Sequence, residues 1–336
     1  MDADGDALPT VSVVVPVYNG AHTVAACVES LLEQTYPKGR YEVIIVENGS
    51  TDATSDVVAR YPVRLLHSPV RGPAAARNLG YCQSQADIVA FTDADCIAHP
   101  RWLLELTRLY VDDPEVVGVG GAILAYAHDE RTEVERFLDE HPPLINWVSS
   151  ADQYLPHLLT ANASYRRALL HRIGGFNPYH LAADDVDLSW RLQVELGVKL
   201  AYAPKAVVYH HHRATWEGLA RMYRRTGFVE VLLDTMFWDA PDFKRHRGYH
   251  LRRLMGQCSR LPLYLAAAGL RRLRLARGEI TPYEASVPIL ALLRESSNIR
   301  GKLEGLWATR FMADATPALE REAGQMIGRL FSPQKE

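Results

Sequence analysis

The chain has 336 residues, 48% hydrophobic and 23% charged, with a net charge of −3. That length holds one large domain or two moderate ones, and the composition buries a sizeable core without staples. It excludes a mainly disordered chain, and the near balance of 37 Lys+Arg with 40 Asp+Glu excludes a chain built to coat nucleic acid.

Val11–Val15 is a β-branched run ended by Pro16 and the turn signal Asn19-Gly20, so it reads as a strand. Residues 21–34 follow with Val24, Cys27, Val28, Leu31 and Leu32 on one helical face. Tyr41–Val46 is a second strand, and Glu47-Asn48-Gly49-Ser50-Thr51-Asp52 comes after it; Ser50 or Thr51 is expected to cap a helix over 52–60. Val63–His67 predicts a third strand, 73–85 a third helix and Ile88–Thr92 a fourth strand, with Asp93-Ala94-Asp95 directly behind. Alternating strands and helices with buried β-branched strands imply a mostly parallel sheet covered on both faces. Ligands sit beyond the carboxyl ends of such strands, where Asn19, Glu47 and Asp93 fall. Further along, Val116–Ala125 reads as a strand, 129–139 as a charged helix and Thr160–Tyr165 as a short strand. Asp184–Glu195 reads as a helix, and Lys199–Ala203 and Ala206–Tyr209 as strands.

From Arg213 the composition changes: residues 213–310 carry 18 Lys+Arg and 9 Asp+Glu, a local balance of +9, with helical patterning throughout. The basic helices are expected either to be simply solvated or to form a surface that lies on anionic lipid or holds an anionic acceptor, a lipid-linked one included. The stretch 261–270, LPLYLAAAGL, is about half the ~20 residues that span a membrane. Four scattered cysteines, Cys27, Cys82, Cys96 and Cys258, fit neither a disulfide framework nor a paired-thiolate zinc site. With an acidic, polar start that is not of signal-peptide type, they indicate a cytoplasmic protein, with peripheral contact at the inner membrane face as the alternative setting.

Two carboxylates one residue apart at a strand end, Asp93 and Asp95, suit a hard divalent cation bridged to diphosphate oxygens; the plain alternative is a helix cap or solvated turn. The ordered set VSVVVPVYNG (11–20), VIIVENGSTDAT (43–54), GPAAARNLG (72–80), FTDADC (91–96), TANASYRRALLHRIGGFN (160–177) and DDVDLSWRL (184–192) resembles the family 2 glycosyltransferases. The resemblance covers about 11–212. It implies a GT-A fold, a Rossmann-like, mixed but mostly parallel sheet flanked by helices. The expected organisation is a flexible N-terminus over 1–10, the GT-A domain over 11–212 and a basic helical extension over 213–330.

The resemblance also implies a nucleoside-diphosphate-sugar donor, a UDP-sugar favoured, and Mn²⁺ or Mg²⁺. Pro16, Tyr18, Glu47, Arg71, Arg77, Asn78, Asp93, Ala94 and Asp184 fall at its donor positions. Glu47-Asn48 replaces the family's usual acid pair. Arg77 is expected either against the diphosphate or in an ion pair with an acid of the Asp93–Asp95 motif. The metal set is Asp93 and Asp95, with His210 and His212, which share one face of a strand. Asp185 matches the family's general base, and Asp187 is read as structural. Trp147, Trp190 and Trp216 are sugar-stacking candidates, Trp190 more readily a core residue. The expected reaction is metal-dependent, inverting transfer of a sugar to an acceptor hydroxyl, with a homo-oligomer allowed. A nucleotidyltransferase and a non-catalytic sugar-nucleotide-binding module are the competing readings.

Overall fold

A computed structural model describes residues 8–146, 154–178, 183–240, 242–243 and 247–309. Its strands are β1 (Val11–Val17), β2 (Tyr41–Glu47), β3 (Arg64–His67), β4 (Ile88–Thr92), β5 (Cys96–Ala98), β6 (Val116–Ala125), β7 (Asn162–Arg166) and β8 (Lys199–His210). Its helices are α1 (Val24–Leu32), α2 (Thr54–Val58), α3 (Pro73–Gln83), α4 (Trp102–Asp112), α5 (Glu133–Glu140), α6 (Arg167–Ile173), α7 (Asp184–Leu196), α8 (Trp216–Met236), α9 (Arg247–Ala276) and α10 (Pro282–Thr309). Among the described residues, one compact unit comprises 8–126 and 144–211, and the other 127–143 and 212–309. The segment bearing α5 thus belongs with the helical unit rather than with the sheet that surrounds it in sequence.

In the first unit all eight strands form one sheet, ordered β3-β2-β1-β4-β7-β6-β8-β5. The first four are mutually parallel, β7 runs antiparallel between β4 and β6, and β8 is parallel to β6 but antiparallel to β5. This is the mixed, mostly parallel α/β architecture expected. The period of two divides β1 between two cores. Val11, Val13, Val15 and Val17 pack in the layer that holds α1 and α4, and Val14 packs with Ile44, Phe91 and Ala76 of α3 on the other face. Each such fully buried valine or leucine stabilises the fold by roughly 1.5–3 kcal/mol. On α3, a Cβ at Gly80 would lie 2.3 Å from Val14 Cγ1, so glycine there lets the helix press onto the sheet.

Several details differ from the sequence expectations. At the chain start Thr10 donates through N and Oγ1 to Asp87 and Leu8 packs on the core; residues 1–7 of the N-terminus expected to be flexible lie outside the described residues. Neither Ser50 nor Thr51 caps α2, because both face the Asn19 turn, and Asp52 Oδ1 accepts from Thr54 N instead. The two strands expected over 199–209 are one strand, β8, with a register shift opposite Gly121 and Ala122. Asn162, fully buried, donates to the Ala122 and Ala206 carbonyls at this irregularity and accepts from Trp102 Nε1. The charged helix expected over 129–139 starts later, at Glu133, behind a capping box in which Thr132 and Glu135 satisfy each other's backbone N–H.

In the helical unit, α5 contributes Val134, Phe137 and Leu138 to a cluster with Leu219 of α8 and Leu290 of α10. Helices α8 and α10 meet backbone to backbone: a Cβ on Gly301 would fall 1.8 Å from the Arg224 carbonyl oxygen, and one on Gly227 2.2 Å from that of Asn298. Beside this crossing the fully buried Lys302 pairs with Glu230 at 3.2 Å and donates to Gln257. Residues 310–330 of the expected extension lie outside the described residues. No helix among the described residues is long and apolar enough to cross a membrane.

Candidate active site

Because β1, β2 and β4 are parallel, their carboxyl ends open on one edge of the sheet, and three loops meet there. Asn19 takes a positive φ of 50°, a conformation asparagine tolerates better than most residues. Its N–H donates to Ser50 Oγ at 2.9 Å and its side-chain oxygen accepts from Thr51 N at 2.8 Å, tying the β1 loop to the β2 loop.

At the β2 end, Glu47 is buried and accepts from Ser50 N and from His67 Nδ1, the latter at 3.3 Å. Burial alone would raise its pKa. The N–H groups of Ser50 and Gly49, with His67, outweigh that and hold the carboxyl below its ordinary value. Asn48 is committed elsewhere: its amide donates to the Gly72 carbonyl at 2.6 Å and accepts from Gly72 N at 3.0 Å. This clamp fixes the loop carrying Arg71, whose guanidinium lies 5.9 Å from the Tyr18 ring centroid. Tyr18 is 55% exposed, and Pro16 lies one strand position before Val17.

At the β4 end, Cys96 N donates to the Asp93 carbonyl, closing the turn through Ala94. Pairing of β5 with β8 sets Cys96 opposite His210, and His211 N donates to the Asp95 carbonyl. Asp95 Oδ1 and His210 Nε2 then face each other at 3.7 Å, too long for a hydrogen bond. Alternation along the chain turns His211 onto the Tyr126 ring, centroids 4.2 Å apart. His212, expected in the metal set, sets its Nε2 3.6 Å from Asp139 Oδ1 of α5. Burial, then Asp95 and Asp93, push the thiols of Cys27 and Cys96 up, so both stay protonated beneath the acids.

Among the described residues no group of three or more His, Cys, Asp and Glu side chains forms a self-contained cage. A carboxylate oxygen and an imidazole nitrogen facing across 3.7 Å, beside Asp93, instead form an open half-shell. Hard cations that bridge to phosphate oxygens are commonly held by one or two carboxylates, with substrate and water completing the shell. The residues fit that mode.

Arg77, 6% exposed on α3, joins the two sides of the site. Its Nη2 donates to Asp93 Oδ1 at 3.0 Å and its Nη1 to Asp184 Oδ2 at 2.9 Å. Burial opposes its charge, but Asp184 and Asp93 more than compensate, so the guanidinium stays protonated. Asp185, next to Asp184 in the first turn of α7, accepts from Thr160 N at 3.2 Å and Val186 N at 2.9 Å. Its pKa is pushed up to about 6, first by burial and then by Asp184, against the pull of Arg77 and the two N–H donors. Asp187, fully buried, pairs with Arg191 at 2.8 Å, and Arg191 also donates to the Gly175 carbonyl.

Asn78, expected on the donor side, lies on α3 directly after Arg77. It is fully buried, and its amide donates to the Phe176 carbonyl and accepts from Phe176 N. Through both ends of its amide it braces the Gly174-Gly175-Phe176 turn. Trp190 is a core residue, 3% exposed, with Nε1 donating to the Leu155 carbonyl. Trp216 opens α8 and is 39% exposed, and Trp147 lies outside the described residues. The backbone N–H of Thr160 and the clamp through Asn48 carry no signal in the sequence; only the folded pairing exposes them.

Residues 12–174 match the family model for Glycosyl transferase family 2. The chain is 32% identical over 267 residues to Glycosyltransferase AglE of Haloferax volcanii, covering 77% of this chain and 84% of that protein. Its fold is similar to that of the mannosyltransferase PcManGT from Pyrobaculum calidifontis, solved in complex with GDP-Man and Mn²⁺: TM-score 0.60 and 22% identity over 90% of this chain and 88% of that one. It is also similar to glucosyl-3-phosphoglycerate synthase from Mycobacterium tuberculosis, solved with Mn²⁺, UDP and phosphoglyceric acid: TM-score 0.52 and 22% identity over 68% of this chain and 79% of that one. The chain belongs to glycosyltransferase family 2, whose members transfer sugars from nucleotide-sugar donors. It is a glycosyltransferase, and the nucleotidyltransferase and non-catalytic readings are set aside.

Proposed function

We propose that the chain is a metal-dependent, inverting glycosyltransferase that moves a sugar from a nucleoside-diphosphate sugar, a UDP-sugar by preference, to the hydroxyl of a glycan, lipid-linked or natural-product acceptor. The observation that carries this reading is the run Asp93–Arg77–Asp184, with ion pairs of 3.0 and 2.9 Å. It brings the strand-end acids and the acids of α7 into one constellation.

Pro16, Tyr18, Glu47 and Arg71 are assigned to the nucleoside, and Ala94, small and 9% exposed, leaves room beside the diphosphate. Asp93, Asp95 and His210 are the residues that would hold Mn²⁺ or Mg²⁺, with His212, which faces Asp139, as the second histidine of the set. A divalent cation there would neutralise charge on the diphosphate leaving group. Arg77 adds a fixed positive charge and holds Asp184 in place. Asp185 accepts the proton of the acceptor hydroxyl as that oxygen attacks the anomeric carbon, and a single displacement inverts it. A carboxyl with a pKa of about 6 is ionised at neutral pH yet more basic than an ordinary aspartate, as a general base requires.

The test is release of nucleoside diphosphate from UDP- and GDP-sugars with Mn²⁺, with and without an acceptor mixture. The anomeric configuration of any product is then read by NMR. Failure of every nucleotide sugar to turn over, together with no calorimetric binding of UDP or GDP in the presence of Mn²⁺, overturns the assignment; a retained configuration overturns the inversion.

A further inference from the structure

The outer face of α9 has a chemistry that the transfer reaction does not use. Leu251, Met255, Leu263, Leu270 and Leu273 are each 60–67% exposed, while Leu254, Gln257 and Ala268 of the same helix are buried. At 100° per residue these five side chains fall within an arc of about 120°, with Leu265, also exposed, about 40° beyond its edge, and at 1.5 Å per residue they run for ~33 Å. A soluble helix normally turns such a stripe inward; here the buried face is a different one, so the helix carries apolar side chains on both.

Charge says what could cover the outer stripe. Helix α9 contains seven arginines and no aspartate or glutamate. The acids of the helical unit lie on other elements: Glu230 pairs with Arg253, Glu295 with Arg260 and Glu279 with Arg274. Arg260 and Arg274 remain half exposed in those pairs. Arg252 and Arg272 are exposed and make no ion pair with another described residue. A second copy of the chain would set one acid-free, arginine-rich helix against another, which like-charge repulsion opposes. An anionic bilayer offers apolar depth to the leucines and phosphates to the arginines. An apolar stripe flanked by basic residues is how a helix lies in the plane of a membrane interface.

We propose that α9 docks the protein on an anionic lipid bilayer, its axis parallel to the surface, with Leu251, Met255, Leu263, Leu270 and Leu273 in the headgroup–acyl boundary and Arg252, Arg260, Arg272 and Arg274 on lipid phosphates. The inference is independent of the proposed transfer chemistry. It assigns no spanning segment, in keeping with the absence of a membrane-crossing helix among the described residues.

The experiment is co-sedimentation of the full chain with vesicles of phosphatidylcholine alone and of phosphatidylcholine mixed with phosphatidylglycerol. Retention on the mixed vesicles is expected, weakening as salt shortens the screening length from ~8 to ~3 Å. Arg252→Gln with Arg272→Gln should weaken it about 25-fold, at about fivefold per arginine. Leu270→Ser with Leu273→Ser should abolish retention while far-UV circular dichroism and nucleoside-diphosphate binding stay unchanged, since both side chains face outward. Equal retention on the two vesicle types, or none on either, overturns the proposal. So does a self-association, seen by sedimentation velocity, that the leucine variant dissolves, because a second copy then covers the stripe. Loss of nucleotide binding in the wild-type chain bears on the transferase reading alone.

Discussion

Asp185→Asn separates the general base from a merely structural acid because the two differ in the sign of the stability change. The Asp185 carboxyl sits at about 6 against an ordinary 3.8, chiefly through burial and then Asp184. A carboxyl whose pKa is higher folded than unfolded binds its proton more tightly in the folded state. Its ionised form therefore costs stability: nothing below about pH 4, increasingly between about 4 and 6, and fully above. The difference corresponds to ~3 kcal/mol at 1.36 kcal/mol per pH unit. Partial exposure of Asp185, and an asparagine's poorer match to the N–H groups of Thr160 and Val186, reduce the net gain of the variant to ~1–2 kcal/mol. Asp185→Asn should thus melt ~2–6 °C higher than wild type at neutral pH and no higher at pH 4. Its turnover should fall ~10²–10⁴-fold. Wild-type kcat should fall tenfold per pH unit below about 6, a limb absent from the variant's residual rate. Thermal melts at the two pH values and a pH–rate series provide the readout. A variant less stable than wild type at neutral pH, or with near-normal kcat, refutes the reasoning.

Further outcomes can be checked with the same material. Arg77→Met leaves Asp184 buried without its partner and should cost about 3–5 kcal/mol in urea unfolding; an unchanged midpoint counts against the buried pair. Chelation with EDTA should abolish transfer, with Mn²⁺ or Mg²⁺ restoring it, and full activity in chelator removes the metal role of Asp93, Asp95 and His210. Asn78→Ala strips both partners from Phe176 and should cost about 2–4 kcal/mol, leaving nucleoside-diphosphate affinity in calorimetry nearly unchanged in the folded fraction.

The parallel half of the sheet was legible because each strand is a β-branched run with a turn signal behind it, as at Val11–Val17 and Ile88–Thr92. The insertion of β7 between β4 and β6 was not, since Phe91 opposite Ala163 and Val119 opposite Ser164 are pairings between distant segments. Strand-end acids could be found by position alone. The backbone partners of two asparagines could not be read: Asn48 clamps Gly72 and Asn78 braces Phe176, 24 and 98 residues away. Arg77 left two readings open for the same reason, its acids lying 16 and 107 residues away.

The guanidinium of Arg77 has a consequence for how this site can change. One side chain answers to Asp93 behind β4 and to Asp184 on α7, so the two flanks of the site are not separate modules. Exchanging α7 with that of a relative would also disturb the residue that steadies the opposite flank. Chimeras that move α3 together with α7 should retain function more often than those that move either alone.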